Sequence, residues 1–145
     1  MSGSPPSVRK SLILVLGLPR SGTSWLGKVF DSHPEVFYLH EPDKHVQGEL
    51  PVLLPVDRSA EGRDEVEKFL DKVLANRSPA VMGKRPFFAK SYRSGPRELL
   101  RRTLLLGSRG LPRPQALSLQ IPDLIDPGRP APRIVWKSIN SVGRL

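Results

Sequence analysis

The chain has 145 residues, with 23 Lys and Arg against 14 Asp and Glu, a formal net charge of +9, 16 prolines and no cysteine. That length suits one domain. The missing cysteines exclude disulfides, thiolate metal sites and Cys nucleophiles, and the three histidines at 33, 40 and 45 lack the spacing of a zinc site. The longest apolar run, Leu12 to Leu18, is far short of the roughly 20 residues a bilayer requires. The composition is that of a basic globular protein, and a cytoplasmic one is expected.

Residues 1–10 are small, Pro-containing and basic, and are expected to be disordered. With Leu12–Leu18 they imitate a signal peptide, but the apolar stretch is short and PRSGTSW stands where a cleavage site belongs. SLILVLGL reads as a buried parallel strand, apolar on both faces and closed by glycine. A helix follows, with Trp25, Leu26, Val29 and Phe30 marking its apolar face and His33-Pro34 closing it. Val36–Leu39 is a second short strand ending at His40-Glu41-Pro42, and residues 43–58 read as loop. From Asp64 to Asn76 the apolar positions Val66, Phe69, Leu70, Val73 and Leu74 have helical spacing, with Asp64 and Glu67 as a capping pair. Another helix opens at Pro96 and stops at Gly107. Six prolines between 111 and 132 exclude long helices and a central strand there. RIVWK, Arg133–Lys137, resumes as a strand, and Ser138–Leu145 begins a further helix. This order predicts an α/β fold with a parallel sheet, P-loop-like and three-layered, that stops soon after the third strand. Residues 11–145 are therefore expected to be the N-terminal part of a larger α/β domain.

Charge is unevenly placed. Residues 84–145 hold 13 basic side chains and only Glu98, Asp123 and Asp126 as acids. Such a field suits phosphates, sulfates or other polyanions, although a solvated Arg-rich face has the same composition. Few aromatics lie among these cations, which disfavours nucleic acid.

The sharpest motif is Gly17-Leu18-Pro19-Arg20-Ser21-Gly22-Thr23-Ser24, between the first strand and the first helix. Backbone N–H groups folded over a helix N-terminus cradle an anion, and the helix dipole assists. Two glycines allow the tight turn, three hydroxyls add donors, and Arg20 adds a fixed cation. The G-x-x-x-x-G spacing matches a nucleoside-triphosphate loop, but Thr23 stands where that loop has lysine. Hydrolysis of ATP or GTP is thereby disfavoured.

GLPRSGTSWLGKVFDSHPEV resembles the 5′-phosphosulfate-binding segment of sulfotransferases that use 3′-phosphoadenosine-5′-phosphosulfate (PAPS). The likeness covers roughly residues 12–42, and arginine at position 20 is similar to the carbohydrate and bacterial branches. It implies that Pro19, Arg20, Ser21, Gly22, Thr23, Ser24 and Trp25 bind the donor. RIVWKS, Arg133–Ser138, resembles more weakly the strand that presents a lysine to the sulfuryl group, which makes Lys137 a candidate catalytic residue with Arg20. The histidine base of cytosolic members is replaced by Ile139. Glu41 resembles the glutamate base of carbohydrate-modifying members, although a solvated residue before Pro42 would look the same. His40 and His45 read as surface or packing groups.

The resemblance implies transfer of a sulfuryl group from PAPS to a hydroxyl or amine acceptor, an anionic glycan among them, without a metal. It also implies a 3′-phosphate site on a strand and helix beyond Arg133, which these residues do not supply, so an incomplete or inactive form is a further reading. The alternatives are a small P-loop kinase and a non-catalytic basic module for nucleic acid or glycan.

Overall fold

A computed structural model describes residues 12–46 and 60–139. Strand β1 (Leu12–Leu16) leads through the Gly-rich loop into helix α1 (Thr23–Ser32) and then strand β2 (Val36–His40). A 3₁₀ turn over Pro42–His45 follows. Helices α2 (Ala60–Ala75), α3 (Pro79–Met82), α4 (Gly95–Gly107) and α5 (Arg113–Ser118) precede strand β3 (Arg133–Ser138). The fold is α/β, as the sequence predicts. The expected disordered residues 1–10 and most of the helix expected over Ser138–Leu145 lie outside the described residues, and Ser138 itself ends β3 rather than opening a helix.

The three strands form a parallel sheet in the order β1-β3-β2, so the last strand in sequence is central. Its register sets Lys137 opposite Val15 on one side and His40 on the other. Two further bonds extend the β2–β3 pairing: Arg133 N–H donates to Glu35 O (2.9 Å) and Glu41 N–H to Lys137 O (2.8 Å). Strand alternation divides the core. Val15, Val36, Tyr38 and Val135 face α1 with Ile13 and Phe30. Phe37 and Leu39 face the other way, into a cluster with Val81, Met82, Tyr92, Leu105 and Ile121. Trp136 packs on that second side against Phe69 and Val73 of α2.

Helix α1 corrects the sequence reading. Its buried positions are Thr23, Gly27 and Asp31, whereas Trp25, Leu26 and Val29 are exposed, Trp25 at 73%. The cause is a close approach to β2: a Cβ on Gly27 would lie 2.6 Å from the Tyr38 ring and hydroxyl. The small residue, rather than the large apolar ones, turns toward the sheet. Helix α2 begins at Ala60, one turn before the expected start, which moves Asp64 and Glu67 away from a capping position. The 111–132 segment carries only the short helix α5 and reaches β3 through extended chain.

The segment after α3 runs along the open edge of β2. Tyr92 Oη donates to Val36 O (3.1 Å), and Ser91 N–H donates to Pro34 O (3.1 Å). Lys28 of α1 ties down the same segment by donating to Lys84 O (2.5 Å) and Pro86 O (3.2 Å). Many of the cations after residue 84 serve the fold in this way. Lys90 pairs with Asp31 (2.9 Å), Arg93 and Arg102 with Glu98 (3.2 and 2.9 Å), and Arg97 with Asp126 (2.9 Å). Because Glu98 and Asp126 belong to the same segment, these pairs leave most of its net positive charge in place.

Candidate active site

Parallel strands collect chemistry at their carboxyl ends, where loops and helix N-termini converge. Leu16 and Ser138 end β1 and β3 in register, and His40 ends β2 opposite Lys137. The Gly-rich loop leaves from the first of these ends, and Glu41 follows the last.

The loop is tightly folded. Ser21 N–H donates to Leu18 O (3.1 Å), closing a turn over Pro19 and Arg20. Gly17 cannot carry a side chain here, because its Cβ would fall 2.5 Å from Thr23 Cγ2 and 2.6 Å from Ser21 Oγ. Gly22 has φ 82° and stands at the N-cap of α1, which receives no side-chain cap and has no acidic residue in its first turn. The first-turn N–H groups of this ten-residue helix are thus free of a side-chain acceptor, and the positive end of the dipole is not neutralised locally. Arg20 is exposed, forms no ion pair among the described residues, and has φ 67°. Thr23 is buried at the loop base, and Trp25 stands out from the first turn.

Opposite, Lys137 is 2% exposed and its Nζ donates to Glu41 Oε1, forming an ion pair. The pairing joins residues far apart in sequence, through the β2–β3 register. Glu41 adopts φ 48° as the chain turns into the 3₁₀ segment. Among described residues other than glycine, positive φ occurs at Arg20, Glu41 and Leu124, so two of three such sites are candidate catalytic residues. A left-handed backbone costs roughly 1–2 kcal/mol per residue and tends to be retained where geometry serves a function. Burial works to raise the Glu41 pKa, but the Lys137 hydrogen bond and charge, with His40 and Lys44, bring it below the ordinary value. His40 is lowered to about 4, first by burial and then by Lys137, Lys84 and Lys28, against the pull of Glu41. It is neutral at pH 7 and shares a 2.9 Å hydrogen bond with Tyr38 Oη through Nδ1. The packing role expected of His40 corresponds to this contact. The side chain of His45 lies outside the described features.

Asp43 is a site residue that the sequence reading leaves in a loop. It is 2% exposed, accepts from Trp136 Nε1 (3.2 Å) through Oδ1, and accepts from Ser138 Oγ (2.6 Å) through Oδ2. The carboxylate therefore grips the residues on either side of Lys137. An acid one residue after Pro42 is a weak signal, because its partners lie more than ninety residues away. Among the described residues no group of three or more His, Asp or Glu side chains is arranged to hold a metal ion.

Comparison with known proteins agrees with the motif. Carbohydrate sulfotransferase 1 of Danio rerio is 48% identical over 58 residues, covering 39% of this chain and 14% of that protein. The Homo sapiens carbohydrate sulfotransferase 1 is 40% identical over 60 residues, covering 41% and 13%. Carbohydrate sulfotransferase 5 of Mus musculus is 50% identical over 46 residues, covering 28% and 12%. The matched stretch thus takes in only about one eighth of these relatives' length. No family model and no solved structure matches the chain.

The expectation of a cytoplasmic protein is corrected by these relatives, since carbohydrate sulfotransferases are enzymes of the Golgi membrane. Among the described residues no helix is long and apolar enough to cross a membrane. The Gly-rich loop and the matched relatives thus give this chain a partial likeness to the sulfotransferases, lying with the carbohydrate sulfotransferases.

Proposed function

We infer that the chain takes part in sulfuryl transfer from PAPS to a hydroxyl or amine of a glycan. The fold on this reading is P-loop-like, with the Gly17–Ser24 loop as the anion cradle. One observation carries the reading: an uncapped loop and helix N-terminus stand at the same sheet end as the buried Lys137 and its half-buried partner Glu41. The chemistry of the cradle fits a phosphosulfate, because it offers N–H groups, hydroxyls and the exposed cation of Arg20. The crowding at Gly17 supports the same fit, since any side chain there would push the loop open.

In the proposed reaction the acceptor oxygen or nitrogen attacks sulfur, and the bond from sulfur to the bridging phosphate oxygen breaks. Adenosine 3′,5′-bisphosphate leaves. Arg20 and the loop N–H groups bind and orient the 5′ end of the donor, with Pro19, Ser21, Gly22, Thr23, Ser24 and Trp25 shaping the cradle. Lys137 stabilises the negative charge that develops on the bridging oxygen. Glu41 accepts the acceptor proton, and its lowered pKa keeps it ionised at neutral pH. The pair is reciprocal: while Lys137 holds Glu41 the base is quenched, and an anion arriving beside Lys137 weakens that hold.

Calorimetry with adenosine 3′,5′-bisphosphate tests the binding half, and radiolabelled sulfuryl transfer from PAPS to a glycan tests the chemistry. Binding by the native chain that Arg20→Ala weakens supports the reading. Absence of binding, or binding that Arg20→Ala leaves intact, overturns it. Magnesium-dependent ATP turnover would point to a kinase instead.

A further inference from the structure

A second concentration of charge lies away from the sheet's carboxyl end. Beneath the segment that covers the β2 edge is a cavity of about 20 Å³, lined among others by Asp31, Phe37, Lys90, Arg93 and Arg101. A single water needs roughly 10–15 Å³, so the space suits one or two water-sized species.

The walls are short of negative charge. Asp31 is already shared between Lys28 (2.7 Å) and Lys90 (2.9 Å). Glu98 is shared between Arg93 (3.2 Å) and Arg102 (2.9 Å). Arg101 has no carboxylate at ion-pair distance among the described residues, and its guanidinium donates to Met82 O (3.2 Å). Two guanidinium atoms are buried without a hydrogen-bond partner, Arg93 Nη2 and Arg101 Nε. The Arg93 side chain is 1% exposed. Its guanidinium carbon lies 4.7 Å from the Tyr92 ring centre and 5.6 Å from that of Phe37. Those ring faces offset part of its charge but do not satisfy the remaining N–H.

A water could accept one such bond, but it adds no charge to a wall that holds Lys90, Arg93 and Arg101. An anion does both. We propose that this cavity is a binding site for one monatomic anion, chloride, held by the unpaired N–H groups of Arg93 and Arg101 with Lys90 alongside. The small volume selects a one-atom anion over a tetrahedral oxyanion. The direction of titration agrees, because Lys90 and Arg101 are both lowered, first by burial and also by neighbouring cations. The site is separate from the Gly-rich loop and does not depend on the sulfuryl-transfer reading.

The test compares denaturation of the full chain in sodium chloride and in sodium gluconate at equal ionic strength, with bromide and sulfate as further arms. With a Kd of about 10 mM, about 0.2 M chloride raises the folded-to-unfolded ratio roughly 20-fold over gluconate. Bromide acts likewise, and sulfate does not. Arg101→Met abolishes the chloride effect, while Arg20→Ala retains it. Equal stability in chloride and gluconate overturns the proposal, as a site holding only water would give that result. So does a chloride effect that survives Arg101→Met or disappears in Arg20→Ala. Should Arg101→Met fail to fold, anomalous scattering from bromide-soaked crystals of the native chain decides. A peak between Arg93 and Arg101 supports the site, and no peak there refutes it.

Discussion

Replacing Asp43 with alanine removes the acceptor that two neighbours of Lys137 share. The indole N–H of Trp136 and the hydroxyl of Ser138 are both buried and both donate to this carboxylate. A hydrogen bond to a charged group contributes about 1.5–3 kcal/mol, and an orphaned buried donor costs about 1–3 kcal/mol. The serine hydroxyl can rotate toward another acceptor, whereas the indole cannot, so the net loss falls near 2–4 kcal/mol. With a urea dependence of about 1.5 kcal/mol per molar, the midpoint drops by roughly 1.3–2.7 M. Asp43→Asn keeps one oxygen for the indole and should lose only about 1 kcal/mol. Trp136 fluorescence in a Trp25→Phe background reports the transition, because Trp25 is exposed and its replacement leaves the core untouched. Combining Asp43→Ala with Trp136→Phe, followed by far-UV circular dichroism because the indole reporter is then gone, should give a coupling of about 1–2 kcal/mol. A loss below about 0.5 kcal/mol for Asp43→Ala, or a coupling near zero, would refute the account of Asp43 as the clamp on the β3 end.

Arg20→Ala should leave stability within about 0.5 kcal/mol of the native chain, as expected of an exposed side chain, while weakening adenosine 3′,5′-bisphosphate roughly 10- to 100-fold by calorimetry. Gly17→Ala should destabilise by about 1–3 kcal/mol through its clash with Thr23 and Ser21; Gly107→Ala, in open space at the end of α4, should instead stabilise by about 0.5–1 kcal/mol in the same denaturation assay. His40 has an ordinary pKa of 6.5 and a folded-state value of about 4, so the unfolded chain binds the extra proton between these limits. Stability is therefore complete above pH 6.5 and falls on acidification toward pH 4, by on the order of 2–3 kcal/mol. His40→Asn should flatten that part of the profile; an unchanged slope would remove His40 as its source. Glu41, also lowered, adds loss in the same direction as pH falls below its ordinary 4.5, and Glu41→Gln should abolish that component.

The loop was readable because its information is local. Two glycines, an arginine and a run of hydroxyl residues between an apolar strand and a helix encode the tight turn and the uncapped helix start. Glu41 and Lys137 were each singled out by the sulfotransferase resemblance, but their union was not, since it arises from a strand register that joins residues 96 positions apart. Asp43 was hidden for the same reason. The face of α1 misled because periodicity weighs large apolar residues, whereas the packing here is decided by the space above Tyr38. Likewise the basic bias after residue 84 gave no hint that Lys90, Arg93 and Arg102 pair with Asp31 and Glu98.

The central place of the last strand governs how the chain can assemble. Among the described residues, strands β1 and β2 do not bond to each other; each bonds to β3. During synthesis neither ladder of the described sheet can therefore close until residues 133–138 have left the ribosome, and β1 waits for this partner for more than a hundred residues. Sheets built from such distant pairings form slowly and expose apolar segments meanwhile. Leu12–Leu16 and Val36–His40 would be the segments most in need of a chaperone, and any nascent chain halted before Arg133 would lack the described sheet altogether.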